Sequence, residues 1–114
     1  MHDKINSYLE DNKGRFLQEL KDWLRIPSVS SDSRHKDDVL KSADFLVDQL
    51  KQMGIEKVEL WPTEGFPVVY GHHVVDHNAP TVMIYGHYDV QPPDPLELWE
   101  TPPFEPTIRE EKVY

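Results

Sequence analysis

Cysteine is absent from the 114 residues, which excludes a disulfide framework and any thiolate metal site. A metal in this protein would have to be held by His, Asp and Glu. Basic residues are scarce: 12 Lys and Arg stand against 21 Asp and Glu, for a formal charge of −9. An acidic surface without a Lys/Arg cluster repels phosphate backbones, so nucleic acid is not an expected partner. Apolar runs are short, at most about five residues where a membrane span needs about 20. The opening residues Met1-His2-Asp3-Lys4 lack the apolar core of a signal peptide. A cytoplasmic location fits these absences, and no membrane partner is expected. No internal repeat is visible.

What is present is the composition of a globular domain, with 38% hydrophobic and 29% charged residues. A chain of this length is one domain or less and can bury about two-thirds of its unfolded surface. Ile5, Tyr8, Leu9, Phe16, Leu20 and Leu24 recur at helical spacing, which predicts an amphipathic helix over about residues 4–25. Asp3 is available as its cap, Gly14 is a weak point in its middle, and Pro27 closes it. Residues 28–36, SVSSDSRHK, read as a polar linker in which Ser28, Ser30 and Ser31 are cap or linker residues. Val39, Ala43, Leu46, Leu50 and Met53 then predict a second helix, stopped by a left-handed Gly54. Residues 58–61 form a short strand, and residues 67–75 and 81–86 a hairpin around residues 76–80. Six of the sixteen residues in 91–106 are proline, so this segment is ordered or extended loop. Residues 107–109 start another strand. The ending Glu111-Lys112-Val113-Tyr114 has no terminating element and reads as a cut.

Chemistry concentrates in one place. The stretch TVMIYGHYDVQPP, residues 81–93, is an apolar strand that ends on Gly-His-x-Asp and breaks on two prolines. Val82-Met83-Ile84-Tyr85 shows no polar alternation, which predicts burial on both faces. Residues two apart in a strand share a face, so His87 and Asp89 can lie side by side where the strand emerges. Gly86 leaves room for a backbone or ligand to approach. Ligand sites gather at strand ends in α/β sheets, and a metal-bound imidazole commonly has its other nitrogen held by a carboxylate. On spacing alone, the plainer reading is a His and an Asp satisfied by hydrogen bonds in a strand-end turn.

The stretches IPSVSS (26–31), TVMIYGHYDVQPPDP (81–95) and LWETPPFEPTIRE (98–110) together resemble the zinc-dependent dipeptidase, aminoacylase and carboxypeptidase family. The likeness is greatest to its carnosinase-like and cytosolic dipeptidase branch and runs from about Tyr8 to Tyr114. The resemblance implies an α/β fold, the N-terminal portion of a three-layer catalytic domain whose central sheet is flanked by helices, truncated before the rest of that sheet. Residues 1–114 would then be one incomplete segment of that domain, with no second domain present. It implies that His87 is a ligand to one of two zinc ions, with cobalt or manganese as alternative metals. It also implies that Asp89 is the catalytic-site carboxylate that clamps the imidazole of His87. The remaining ligands, the bridging carboxylate and the general base would lie beyond Tyr114. The activity implied is hydrolysis of the peptide or amide bond of a dipeptide or small N-acyl amino acid, in a homo-oligomeric parent. This chain alone would be inactive, because a two-metal site needs more ligands than one.

Rival readings exist at several positions. The chain could be a non-catalytic α/β interaction module that keeps the fold without a complete metal site. His72, His73 and His77 could in principle hold a metal with Asp76, although histidines of exposed turns are common. Asp37-Asp38 is most simply the acidic first turn of the second helix, and Glu110-Glu111 a solvated end. Core packing is the default role for Trp23, Trp61 and Trp99; Trp99 and Phe104 could pin the proline-rich loop onto the sheet.

Overall fold

The computed structural model describes residues 1–114, which divide into two compact units, residues 27–92 and residues 1–26 with 93–114. In the first of these, helix α2 runs over Lys36–Gln52 and strands β1 (Lys57–Trp61) and β2 (Val68–His72) form an antiparallel ribbon. The other unit holds helix α1 (His2–Leu24) and a small hairpin of β3 (Ile108–Arg109) and β4 (Lys112–Val113). No helix is long and apolar enough to cross a membrane.

Helix α2 follows its sequence pattern closely. A 3₁₀ turn at Ser33–His35 precedes it, capped by Asp32, whose side chain accepts from the Arg34 backbone N–H at 2.9 Å. Asp37 and Asp38 occupy the first turn, where the helix dipole favours negative charge; Asp38 Oδ2 also lies 2.7 Å from His35 Nδ1. Val39 and Ala43 are fully buried, whereas Met53, at the end of the same stripe, is exposed. Gly54 takes φ +82°, the left-handed conformation that ends helices at glycine.

The helix packs on the β1–β2 ribbon. At Gly71 a Cβ would stand 3.2 Å from Leu50 Cδ1 and 3.5 Å from Ile55 Cγ2, so β2 lies close to α2 and an alanine there would require the Leu50 side chain to shift by a few tenths of an ångström. The outward side of the ribbon carries an aromatic row: Trp61 stacks on Tyr70 at 4.3 Å, with the His72 ring 6.4 Å further along. Trp61 Nε1 donates to Glu59 Oε2 at 2.8 Å. This tryptophan is therefore a half-exposed sheet residue rather than a core one.

The hairpin partner differs from the sequence expectation. Strand β2 pairs with β1, in the register Lys57↔His72 to Trp61↔Val68, and not with residues 81–86. The connection over residues 62–67 is closed by Thr63, whose Oγ1 accepts from Gly65 N at 3.0 Å and donates to Phe66 O at 2.8 Å. Loop closure does not choose between the two pairings, since this connection has six residues and the expected one five; the seat of α2 on the β1–β2 ribbon favours the pairing observed. Residues 76–79 do form a turn, with Asn78 N donating to Asp76 Oδ1 at 2.9 Å and Ala79 N to Asp76 O at 3.1 Å. Beyond it residues 81–89 run without a ladder partner. Burial of Val82-Met83-Ile84-Tyr85 is overturned: their exposures are 81, 87, 93 and 88%. Burying a strand on both faces takes neighbouring strands and a layer above and below, and this unit supplies neither there.

Helix α1 spans the predicted stretch, but Asp3 sits in its first turn rather than capping it, and none of its residues is buried. Residues 107–114 close on themselves, Thr107 and Tyr114 exchanging backbone hydrogen bonds of 3.0 and 2.9 Å. Glu110 and Glu111 are the two central residues of that hairpin, at φ 48° and 62°. Two successive left-handed residues match the turn to the strand twist, although Asn-Gly is the usual sequence there. The guanidinium of Arg109 lies 4.2 Å over the Tyr114 ring and pairs with the Glu100 carboxylate. In the proline-rich loop Trp99 Nε1 donates to Pro93 O at 2.8 Å, so this tryptophan ties the loop to itself.

Candidate metal-ligand site

Three short pieces of residues 27–92 converge, the first being Gly86-His87-Tyr88-Asp89 itself. The segment after α1 runs extended beside them, with a parallel bridge between Val29 and Val90 and a bond from Val90 N to Ser28 O at 3.0 Å. Val29 points into the core at 2% exposure. Ser28 and Ser30 flank it, and Ser30 enters a turn closed by Asp32 N on Val29 O at 3.3 Å. The third piece is the first half of α2, which presents Ser42.

The Tyr88 carbonyl accepts from Ser28 Oγ at 3.0 Å and from Ser42 Oγ at 2.9 Å. Both serines are buried, at 3% and 0% exposure. The Tyr88 hydroxyl donates to Pro67 O; burial, and then the neighbouring Asp89 charge, push its pKa up. With Tyr88 held at both its carbonyl and its ring, the flanking residues His87 and Asp89 are presented together.

Asp89 uses both carboxylate oxygens. Ser30 Oγ donates to Oδ2 at 2.6 Å, and His87 Nδ1 lies 3.1 Å from Oδ1. The same Nδ1 lies 2.9 Å from the Asp89 backbone carbonyl. Both neighbours of Nδ1 are acceptors, so Nδ1 carries the hydrogen and donates it. The Ser30 hydrogen bond, foremost, and then the His87 contact hold the Asp89 carboxyl below the usual range against a partial cost of burial. The His87 side chain is 74% exposed, which leaves Nε2 facing outward. This is the arrangement that metal-binding histidines use: one nitrogen anchored on a carboxylate, the other free to ligate.

The sequence expectation of a side-by-side His87 and Asp89 therefore matches the geometry. The reading of Ser28 and Ser30 as linker residues is corrected, since each bonds to the 88–89 segment about sixty positions away. No local signal marks them, since the adjacent Ser28 and Val29 are both buried, at 3% and 2% exposure. Nothing lies within 4 Å of a Cβ placed at Gly86, so no close approach inside this chain requires that glycine.

As a donor set for a metal, the residues fit in part. His87 offers one well-oriented imidazole nitrogen, but no group of three or more His, Asp or Glu side chains converges anywhere in the 114 residues. His72 is engaged in the aromatic row and His73 Nδ1 sits 3.9 Å from Glu56 Oε1, so the histidines near residues 72–77 do not gather into a site.

No family model matches the chain. Individual proteins do. The chain is 37% identical over 108 residues to the Cys-Gly metallodipeptidase DUG1 of Candida albicans, a match covering 84% of this chain and 22% of that protein. Among solved structures it superposes on the dipeptidase Dug1p of Saccharomyces cerevisiae with a TM-score of 0.80 at 32% identity, over 90% of this chain and 24% of that one. An M20 family metallo-carboxypeptidase from Sulfolobus solfataricus matches with a TM-score of 0.72 at 37% identity, over 86% of this chain and 22% of that one. The chain thus spans about a quarter of the length of the relatives it matches, and its α/β layers correspond to part of their peptidase domain. On sequence and fold together, the chain is similar to one portion of these metallodipeptidases and metallo-carboxypeptidases.

Proposed function

We propose that this chain contributes one metal ligand, His87, and its anchoring carboxylate, Asp89, to a metal-dependent peptidase. The observation that carries this reading is the His87 imidazole, fixed through Nδ1 on Asp89 while Nε2 faces outward. The substrate class is a dipeptide or small N-acyl amino acid, in keeping with the dipeptidases among the relatives. Two zinc ions are the proposed cofactor, with cobalt or manganese as substitutes. Bound metal would supply polarisation of the scissile carbonyl and a water activated at neutral pH. His87 would hold the metal through Nε2; Asp89 would keep the hydrogen on Nδ1 and stop the ring from turning away. The further ligands and the general base are proposed to come from the parts of the relatives' length that this chain does not span. The whole protein is proposed to be a cytoplasmic homo-oligomer.

The test uses the natural protein that carries this sequence. Hydrolysis of Cys-Gly and related dipeptides should require added divalent metal and fall at least 100-fold in His87→Ala. Metal-dependent hydrolysis that survives His87→Ala intact would remove His87 from the site. The 114-residue chain alone, offering one ligand, should hydrolyse nothing and bind zinc only weakly. Tight stoichiometric binding in a titration of that chain would contradict this.

A further inference from the structure

Asp89 has two equivalent oxygens, and a carboxylate torsion is broad and two-fold rather than locked in a narrow well. Since the oxygens are interchangeable, what must be fixed is the orientation of the carboxylate plane toward the His87 ring. Only Oδ1 is presented to Nδ1, at 3.1 Å, while Oδ2 is taken by the Ser30 hydroxyl at 2.6 Å. Ser30 is itself placed by tertiary structure: the Val29–Val90 bridge sets its backbone beside Asp89, and the Ser28 bond to the Tyr88 carbonyl fixes the register one step earlier.

We infer that Ser30 is a positioning residue, whose hydroxyl locks the Asp89 carboxylate so that its other oxygen holds hydrogen on His87 Nδ1 and keeps Nε2 available to a metal. The inference deepens the metallopeptidase reading and rests on it for the metal, but not for the hydrogen-bond chain. A short charge-assisted bond from hydroxyl to carboxylate restrains orientation strongly. It does not stand alone, because the Asp89 backbone carbonyl remains 2.9 Å from Nδ1. Loss of Ser30 should therefore loosen the ring rather than release it, and a partial effect is expected.

Two measurements separate the possibilities. In the natural protein stripped of metal by a chelator, long-range ¹H–¹⁵N correlation reads which nitrogen of His87 carries hydrogen. Wild type should show the Nδ1–H form, Ser30→Ala a mixture with Nε2–H, and Ser30→Thr, which keeps the hydroxyl, the wild-type pattern. In the natural protein, zinc affinity by chelator competition should fall about 10-fold in Ser30→Ala, the lower end of the effect of removing a partner behind a ligand, and recover in Ser30→Thr. An unchanged His87 tautomer together with unchanged zinc affinity in Ser30→Ala would overturn the inference. So would a loss in Ser30→Ala that Ser30→Thr fails to restore, since the backbone rather than the hydroxyl would then be responsible. Indifference of hydrolysis to His87→Ala sinks the metallopeptidase reading instead, and the tautomer measurement, which needs no metal, decides the role of Ser30 separately.

Discussion

Ser30 Oγ donates to Asp89 Oδ2 at 2.6 Å across 59 positions of the chain. The bond joins the extended segment after α1 to the end of the 81–89 stretch, and His87 completes the line on the other carboxylate oxygen. A hydroxyl, a carboxylate and an imidazole are thus ordered in sequence, with the imidazole outermost.

Asp89→Asn in the natural protein should weaken zinc affinity or dipeptide hydrolysis by about 10–100-fold, the usual consequence of losing the carboxylate behind a metal-binding imidazole. The amide can still accept from Nδ1 but carries no charge to strengthen the donor. Metal titration and steady-state kinetics measure the change. Unaltered values would take Asp89 out of the site.

The serine pair on Tyr88 makes a stability prediction. Ser28 and Ser42 both donate to one carbonyl, so either alone keeps that acceptor satisfied. Single changes to alanine should cost about 1 kcal/mol each, the net value of an ordinary hydrogen bond. The double variant strips the carbonyl of both donors, and its cost should exceed the sum by about 1 kcal/mol, as expected for residues sharing a partner. Urea denaturation of the four proteins gives the coupling, and strict additivity would show that the two bonds are independent.

Asp32 carries a pH dependence. Hydrogen bonds from the Arg34 guanidinium, then from the Arg34 backbone N–H, hold its carboxyl down to about 2. The unfolded value is about 3.9, so folding depresses it. The stabilisation it contributes is therefore complete above about pH 4 and disappears as pH falls through about 2. The pair is exposed, which keeps the effect on stability small, but the titration itself is directly visible. By carboxyl ¹³C NMR, Asp32 should titrate near 2, and in Arg34→Ala its midpoint should rise toward the ordinary carboxylate range. A midpoint already ordinary in wild type would deny the Arg34 interaction.

The exposed apolar stretch predicts self-association of the isolated chain. Val82, Met83, Ile84 and Tyr85 lie open to solvent, and an extended apolar segment with unpaired backbone favours pairing with another chain. Sedimentation at micromolar concentration should show dimers or larger species. Val82→Lys with Ile84→Lys, two changes on one strand face, should return it to monomer. A wild-type monomer at that concentration would oppose this.

Local rules were enough for the helices. In α2 the four-three spacing of Val39, Ala43, Leu46 and Leu50, the acidic first turn and the Gly54 stop are properties of neighbouring residues, and each appears as the pattern implied. The juxtaposition of His87 and Asp89 was equally readable, because residues two apart on extended backbone must share a face. Pairings between distant segments were not. That β2 joins β1 rather than residues 81–86 depends on the packing of α2 against the ribbon, and that Val82 to Tyr85 lie exposed depends on what surrounds them. Ser28, Ser30 and Ser42 look like linker and helix residues in sequence, since a hydroxyl has no periodic signature of its own. Only the tertiary arrangement, a parallel bridge at Val29 and Val90 beside the start of α2, decides that these hydroxyls face Tyr88 and Asp89. Side-chain hydrogen bonds over such separations arise from packing, and no local pattern encodes them.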